Sequence, residues 1–406
     1  MSKITVLGGC GAIGSVAVRT VAAVDCFSEI VIADKRIDLA GELARGAGPA
    51  RISVMEVDAD HPTSVKRTLA GSSVVLNCIG PFYKYGPPIL QAVIDLGMDY
   101  VDVCDDLDAT ENMLMLDQAA REAGVSAVIG MGNSPGLANI FARYCADQLL
   151  SAVEAVDIYH IHGGEVVEGA AVIEHRFHAM ESDIPLFLDG NYVRVRMLEE
   201  SGQALSEKTE FKDIGTYAVY PYPHPETITL PKYLKGVRRV TNLGTVLPTD
   251  YFNMTMEMMR LGLGSEMAVP VQGSQVIPRQ FAVSFILAKR DGFLKRAGIS
   301  GPLGCLKVKV TGRRDGETHT YVFSMSSRNQ GAGEGTGIPA ALGAILMSQG
   351  RITAKGVLPP EAAIAPVEML ALAATMTNRL GMGNGLPVSV EHIDQNGKRE
   401  SVELKL

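Results

Sequence analysis

Short apolar runs separated by helix-compatible segments fill the first third of the chain. Ile4-Thr5-Val6-Leu7, Ile30-Val31-Ile32-Ala33, Ile52-Ser53-Val54-Met55-Glu56-Val57, Val74-Val75-Leu76, Tyr100-Val101-Asp102-Val103-Cys104 and residues 125–129 are each too short for a helix and read as buried strands. The spacing between them predicts helices. One runs from Gly14 to Ala23. Another begins at Gly86-Pro87-Pro88, where prolines suit a first turn, with Ile89, Val93 and Leu96 as its stripe and Gly97 as its terminator. A third presents Met113, Leu116, Ala119, Ala120 and Ala123 on one face, with Asp108 and Glu111 as its capping box and Gly124 at its end. Strands alternating with helices in this way predict an α/β fold whose parallel, doubly wound sheet is covered on both faces.

Past a helix over about 137–150 the texture changes. Residues 153–161, 192–197, 237–246 and 281–287 read as strands with irregular connections. The clearest hairpin is Leu306-Lys307-Val308-Lys309-Val310-Thr311, turning at Asp315-Gly316 into residues 320–325, with one buried and one wet face. This predicts a second, α+β domain with a largely antiparallel or mixed sheet. Residues 335–350 form a helix of small residues suited to close packing, and 387–406 read as a hairpin around Asn396-Gly397. The expected domains are a Rossmann domain over 1–136, a substrate and dimerisation domain over 137–330, helices returning to the first domain over 331–380, and a tail hairpin over 381–406.

The first strand turns through Gly8-Gly9-Cys10-Gly11-Ala12-Ile13-Gly14 into its helix. In a G-x-G-x-x-G turn, Gly9 permits the tight bend, Gly11 lets the backbone approach a pyrophosphate, and Gly14 lets the helix pack close to the sheet. The N–H groups of Ala12, Ile13 and Gly14 and the positive helix end would hold the phosphates. Asp34, 20 positions after Gly14, can accept hydrogen bonds from both ribose hydroxyls. Such an acid favours NAD, although Lys35 and Arg36 follow it and could hold the 2′-phosphate of NADP. Asp58 either contacts the adenine amino group or caps the segment after Pro62. The sheet's carboxyl edge, where ligands bind, would also carry residues 79–82, 104–106 and 130–136.

Composition narrows the class. With 406 residues, 47% hydrophobic and 20% charged, the chain is long enough for two or three domains with large cores. A net charge of -8 argues against nucleic acid or anionic membrane as a partner. No apolar run reaches the about 18–20 residues of a membrane helix. The first strand begins at Lys3, which leaves no room for a signal or transit peptide, and the six cysteines lack C-x-x-C spacing. A cytoplasmic protein with reduced thiols and no metal site is expected.

Several stretches in order resemble the saccharopine dehydrogenase superfamily, particularly its lysine ε-dehydrogenase and saccharopine reductase-like members. They are Cys78-Ile79-Gly80-Pro81-Phe82 through Ala92-Val93-Ile94-Asp95-Leu96-Gly97, Tyr100-Val101-Asp102, and Asn133-Ser134-Pro135-Gly136-Leu137-Ala138-Asn139. Glu226-Thr227-Ile228-Thr229-Leu230-Pro231, Thr336-Gly337-Ile338-Pro339-Ala340-Ala341 and Lys355-Gly356-Val357-Leu358-Pro359-Pro360-Glu361 follow. The resemblance implies a Rossmann domain, a mixed-sheet substrate domain, a nicotinamide cofactor and oxidoreduction of a C–N bond in an amino acid or carboxylated polyamine. A homodimer acting on a small amine is expected. Glu174-His175-Arg176-Phe177-His178 lacks the Trp-Ser element of lysine-type members. Lysine oxidation, saccharopine-type cleavage and reductive formation of a carboxylated polyamine therefore stay open. So do homospermidine synthase-like aminoalkyl transfer with bound NAD and a non-catalytic NAD sensor.

C–N oxidation needs a positioned base near neutral pKa. Asp105, at the fifth strand's carboxyl edge, is the leading acid, or else a helix cap. Asn133 suits the amine or the nicotinamide carboxamide, or else a turn before Pro135. His224, between prolines, is a second catalytic candidate or a surface turn histidine. Ile79, Gly80 and Pro81 are expected along the cofactor, with Phe82 toward the substrate. His175 and Arg176 are substrate candidates, and His175 and His178 would share a helix face. His160 and His162, on one strand face, read as structural or solvated, and Cys78 and Cys104 as packing. A substrate carboxylate calls for an Arg fork, for which Arg176, Arg239, Arg279 and Arg328 compete.

Overall fold

The computed structural model describes residues 2–48, 51–165 and 168–406. The first part of the chain alternates strand and helix. Its elements are β1 (Lys3–Leu7), α1 (Ala12–Ala22), β2 (Glu29–Asp34), α2 (Ile37–Ala47), β3 (Ile52–Glu56), α3 (Pro62–Leu69) and β4 (Val74–Asn77). Then come α4 (Phe82–Asp95), β5 (Asp99–Asp102), α5 (Leu107–Leu114), α6 (Asp117–Glu122), β6 (Ser126–Val128) and α7 (Leu137–Tyr144). The middle part holds β7 (Ala152–Gly163), α8 (Ala170–Glu181), β8 (Ile184–Leu188), β9 (Asn191–Val195), α9 (Glu200–Gln203), β10 (Glu207–Phe211) and β11 (Gly215–Pro221). It continues through α10 (Glu226–Tyr233), β12 (Arg239–Leu247), α11 (Thr249–Arg260), β13 (Val269–Val271), β14 (Ser274–Val276), α12 (Pro278–Arg296), β15 (Leu303–Arg314) and β16 (Glu317–Arg328). The chain closes with α13 (Ala332–Ser348), β17 (Gly356–Leu358), α14 (Pro360–Ala363), α15 (Pro366–Arg379), β18 (Ser389–Ile393) and β19 (Arg399–Ser401).

Seven parallel strands form the first sheet in the order β17-β6-β5-β4-β1-β2-β3. Its central strands are apolar on both faces because helices cover both, and Ile4, Val6, Leu7, Ile30, Val31, Ile32, Val75 and Leu76 are fully buried. Strand order reverses between β1 and β4, which opens a crevice at their carboxyl ends. The small-residue helix α13 packs on α1, β4 and β5. A Cβ on Gly333 or Gly337 would lie 2.8 Å from Ala12 O or 2.6 Å from Ile13 O, so these glycines let α13 approach the start of α1. β17 then extends the sheet beside β6. Only three residues long, it carries no periodicity that would mark it as a strand.

Ten strands form the second sheet, with main path β10-β11-β12-β7-β15-β16-β18-β19 and the β8-β9 pair at its side. It is mixed: β12 pairs parallel with β7, whereas β15 and β16 are antiparallel. The β15-β16 hairpin turns at Asp315 and Gly316 (φ 55° and 85°), as expected. The tail hairpin adds to β16 and so completes this second sheet.

Three expectations are corrected. Residues 281–287 are helical, within α12, and not a strand. The β-branched and aromatic residues mislead because Ala282, Val283 and Ile286 fall on one helical face against the second core, while Phe281 and Phe285 stay exposed. The second domain also carries the regular helices α8, α10, α11 and α12 among its strands. Finally, the helix expected through Ala123 breaks at Met115, and its N-cap is Asp106, two residues before the expected Asp108. Asp108 instead accepts from Ala109 N within the first turn.

Candidate active site

The glycine turn ends β1 with Gly8 at φ 70°, so Gly8, not Gly9, supplies the left-handed bend. Gly9 is required by proximity, since a Cβ there would lie 2.8 Å from Ile32 Cγ2. At Gly14 the Cβ would lie 2.2 Å from Gly8 O, which fixes the close approach of α1 to the turn. Gly11 caps α1 without any side-chain hydrogen bond, so the first-turn N–H groups of Ala12, Ile13 and Gly14 face outward without intrahelical acceptors. This cradle fits a dinucleotide pyrophosphate. Asp34 is buried at the end of β2, its carboxylate accepting from Cys10 N (2.9 Å), Arg36 N (3.0 Å) and Arg36 Nε (3.2 Å). Lys35 and Arg36 are exposed beside it. Asp58 is exposed and accepts from Asp60 N (3.0 Å) within its own turn, whereas α3 has His61 as its N-cap with no side-chain hydrogen bond, so Asp58 does not cap that helix.

Across the crevice, Asn77 accepts from Ile79 N (2.9 Å) and donates to Tyr100 Oη (3.0 Å), fixing the loop that carries Gly80 and Pro81 at the surface. Phe82 is buried in the core beneath α4, so it supports the loop from below. The Cys78 thiol is pushed up to about 12 by burial and that of Cys104 is pushed up as well, which agrees with packing roles.

The second domain brings α8 and the edges of β7, β11 and β12 over this carboxyl edge. His175 Nδ1 lies 3.2 Å from Asp106 Oδ1, while Asp106 Oδ2 accepts from Tyr83 N (3.1 Å). His178 packs on the Tyr83 ring at 5.5 Å, so the two histidines of α8 do share a face, turned toward the first domain. Burial alone would lower the His175 pKa, but the Asp106 hydrogen bond and the charges of Asp105 and Asp106 raise it to about 9. His175 is thus imidazolium at neutral pH. Asp105, Asp106 and His175 place one ligand atom each within 4.8 Å of one another, a grouping that the Asp106–His175 ion pair accounts for.

His224 is buried, and not a surface turn residue. Its ring stacks on His160 at 5.0 Å and meets Tyr222 edge-on at 5.6 Å. Burial lowers its proton affinity, but the hydrogen bond and charge of Glu226, together with Asp105, raise it overall. Burial holds His160 well below the ordinary range and His162 down to about 4, so both are neutral. Four of the eight histidines therefore act on one another, burial lowering the proton affinity of His160 and His162 and carboxylates raising that of His175 and His224. The Asn133 Oδ1 atom is buried without a hydrogen-bond partner.

Among the four competing arginines, only Arg176 joins these histidines. Its guanidinium contacts Glu168 (2.6 Å) and Tyr251 Oη (3.4 Å), and its charge acts on His162 and Tyr222. Arg290 shares the same Glu168 carboxylate at 2.7 Å. Arg239 is engaged by Asp157, Arg279 by Glu181 and Arg328 by Asp213 O.

Sequence reasoning pointed at Asp105, Asn133, His175, Arg176 and His224 from two domains; Asp105 acts on both His175 and His224, Arg176 acts on His175, and Asn133 precedes Ser134, whose hydroxyl faces His224. It missed Asp106, Glu168, Tyr222 and Tyr251; His160 and His162, read as structural or solvated, are half-buried and desolvated. The adjacent Asp105-Asp106 pair and the Tyr222-Pro223-His224 run were the available signals.

A parallel sheet with a dinucleotide cradle at its switch point, roofed by titratable groups from a second domain, defines a nicotinamide-dependent oxidoreductase. Residues 4–128 match the family described as saccharopine dehydrogenase NADP binding domain. The chain is 22% identical to the carboxyaminopropylagmatine dehydrogenase of Synechocystis sp., over 88% of this chain and 92% of that one. It is 23% identical to the carboxynorspermidine synthase of Vibrio alginolyticus, over 67% and 70% respectively. The fold is shared with apo saccharopine dehydrogenase (L-Glu forming) from Saccharomyces cerevisiae at a TM-score of 0.66 and 14% identity, covering 99% and 100% of the two chains. The protein is an NAD(P)-dependent oxidoreductase whose first domain resembles the saccharopine dehydrogenase NADP binding domain.

Proposed function

We propose that the protein oxidises or forms a C–N bond in a carboxylated polyamine or related amino acid, with hydride transfer through an imine. The single observation that carries this reading is the convergence of Asp105, His175 and His224 over the carboxyl edge of the dinucleotide sheet. The bound nicotinamide supplies or accepts the hydride. The protein's part is to keep the substrate nitrogen neutral, to hold it against that edge and to manage its protons. Asp105 and His224 are the acid–base pair, taking a proton from the amine or from the water that adds to the imine. Asn133 offers its unpartnered carbonyl oxygen to an amine or carboxamide N–H. Pro81 lines the cofactor side, with Phe82 supporting it. Arg176 takes the substrate carboxylate in exchange for Glu168, and protonated His175 adds a second positive charge near it.

Among the described residues, no helix is long and apolar enough to cross a membrane. A homodimer is supported by the exposed Met267, Val269, Val271 and Phe281 around the β13-β14 arm. The test is to incubate the protein with NAD or NADP and carboxynorspermidine, carboxyaminopropylagmatine, saccharopine or lysine in the oxidative direction. Turnover of a carboxylated polyamine, read as a change in reduced-nicotinamide absorbance, supports the proposal. No turnover of any of these with either cofactor refutes it.

A further inference from the structure

Four stretches of the chain meet in a buried polar region behind His224, Asn242 coming from β12. Ser134 and Asn139 follow β6, Glu226 and Thr229 lie in α10, and Glu361 lies in α14. Asn139, Glu226 and Asn242 are fully buried, and Thr229 and Glu361 are only 2% and 1% exposed. Ser134 Oγ donates to Glu226 Oε1, which also faces Asn242 Nδ2 at 3.4 Å. Asn139 donates to Glu361 Oε2 at 2.8 Å and accepts from Gly136 N at 2.8 Å. Yet Asn242 Oδ1, Thr229 Oγ1 and Glu361 Oε1 are buried without partners, and Glu226 Oε2 has only the His224 ring beside it. Each such atom costs about 1–3 kcal/mol, so a network serving stability alone would be expected to satisfy them.

Glu226 Oε2 lies 3.5 Å from His224 Nδ1, and Ser134 Oγ is also 3.5 Å from that nitrogen. The only hydroxyl proton of Ser134 is given to Glu226, so Nδ1 faces two acceptors and must carry the hydrogen. We propose that Glu226 is the positioning residue of His224: its carboxylate holds Nδ1–H and leaves Nε2 to exchange protons, while Ser134 and Asn242 hold Glu226. In turnover Nε2 takes a proton from substrate or water and returns it, while Glu226 keeps the ring oriented through Nδ1. The importance for catalysis rests on the active-site reading above, but the geometry does not. The other charged or titratable groups acting on His224 are His160, His162, His175, Tyr222 and Asp105.

The test uses the full chain with ¹⁵N-labelled histidine, the His224 signals being identified by their loss in His224→Gln. Neutral His224 is expected as the Nδ1–H tautomer. Glu226→Gln should lower its proton affinity at least tenfold, Glu226→Asp should restore part of it, and the exposed His61 should titrate unchanged. Should Glu226→Gln fail to fold, Ser134→Ala gives a smaller shift in the same direction. An Nε2–H tautomer in the wild type, or a His224 titration unmoved by these substitutions, overturns the proposal. No substrate is needed, so the result stands apart from the turnover assay. Where a substrate turns over, Glu226→Gln should lower kcat far more than it alters KM.

Discussion

Replacing Glu361 by Gln should stabilise the protein at neutral and alkaline pH, and by an amount that vanishes in acid. Burial, with a smaller push from the charge of Glu226, raises the Glu361 carboxyl from 4.5 to about 7. At about 1.36 kcal/mol per unit, that shift corresponds to about 3 kcal/mol. The folded chain binds this proton more tightly than the unfolded chain. Below about pH 4.5 both states are protonated, and the stabilising preference for the neutral carboxyl is fully present. As pH rises to about 7 the unfolded carboxyl ionises first and stability falls, until above about pH 7 the whole preference is lost. Gln cannot ionise, fits the same space and keeps an oxygen to accept from Asn139. Melting temperatures of wild type and variant should therefore coincide near pH 4 and separate by about 3–4 °C at pH 8, with the variant higher, if a chain of this size melts as one unit. Differential scanning fluorimetry across that range reads the effect. A variant less stable at every pH, or a difference independent of pH, would refute the reasoning.

Gly14→Ala should abolish dinucleotide binding measured by calorimetry, because the new Cβ would sit 2.2 Å from Gly8 O; Gly46→Ala in α2, with nothing within 4 Å, should leave binding intact. Asp34→Ser should raise the use of NADP relative to NAD, since the carboxylate that repels a 2′-phosphate is gone and Arg36 is released; an unchanged kcat/KM ratio would count against that role. Asp105→Asn should lower kcat by roughly 10²–10⁴ with cofactor affinity nearly unchanged, as for loss of a general acid or base. Full activity in that variant would place the proton transfer on the second domain's histidines.

Whatever depends on near neighbours along the chain was legible in the sequence. The apolar runs of β1, β2 and β4 are buried on both faces of a parallel sheet, and that demand shows as unbroken hydrophobic stretches. The glycine turn and Asp34 are similarly local, since one strand, one turn and one helix build the cradle. Even there the bend belongs to Gly8, because which glycine takes positive φ depends on how the turn packs against Ile32 and Cys78. The α12 segment misled because its β-forming residues are helical only through their fit to the second core. Tertiary structure alone decided that His175 of α8 would meet Asp106 of the first domain, and that His224 would be buried against His160 and Glu226. The pairings of His175 with Asp106 and of His224 with His160 join residues 69 and 64 positions apart, and no periodicity records them. The protonation states that the chemistry requires arise only there, because burial and opposing charge act through space and not along the chain.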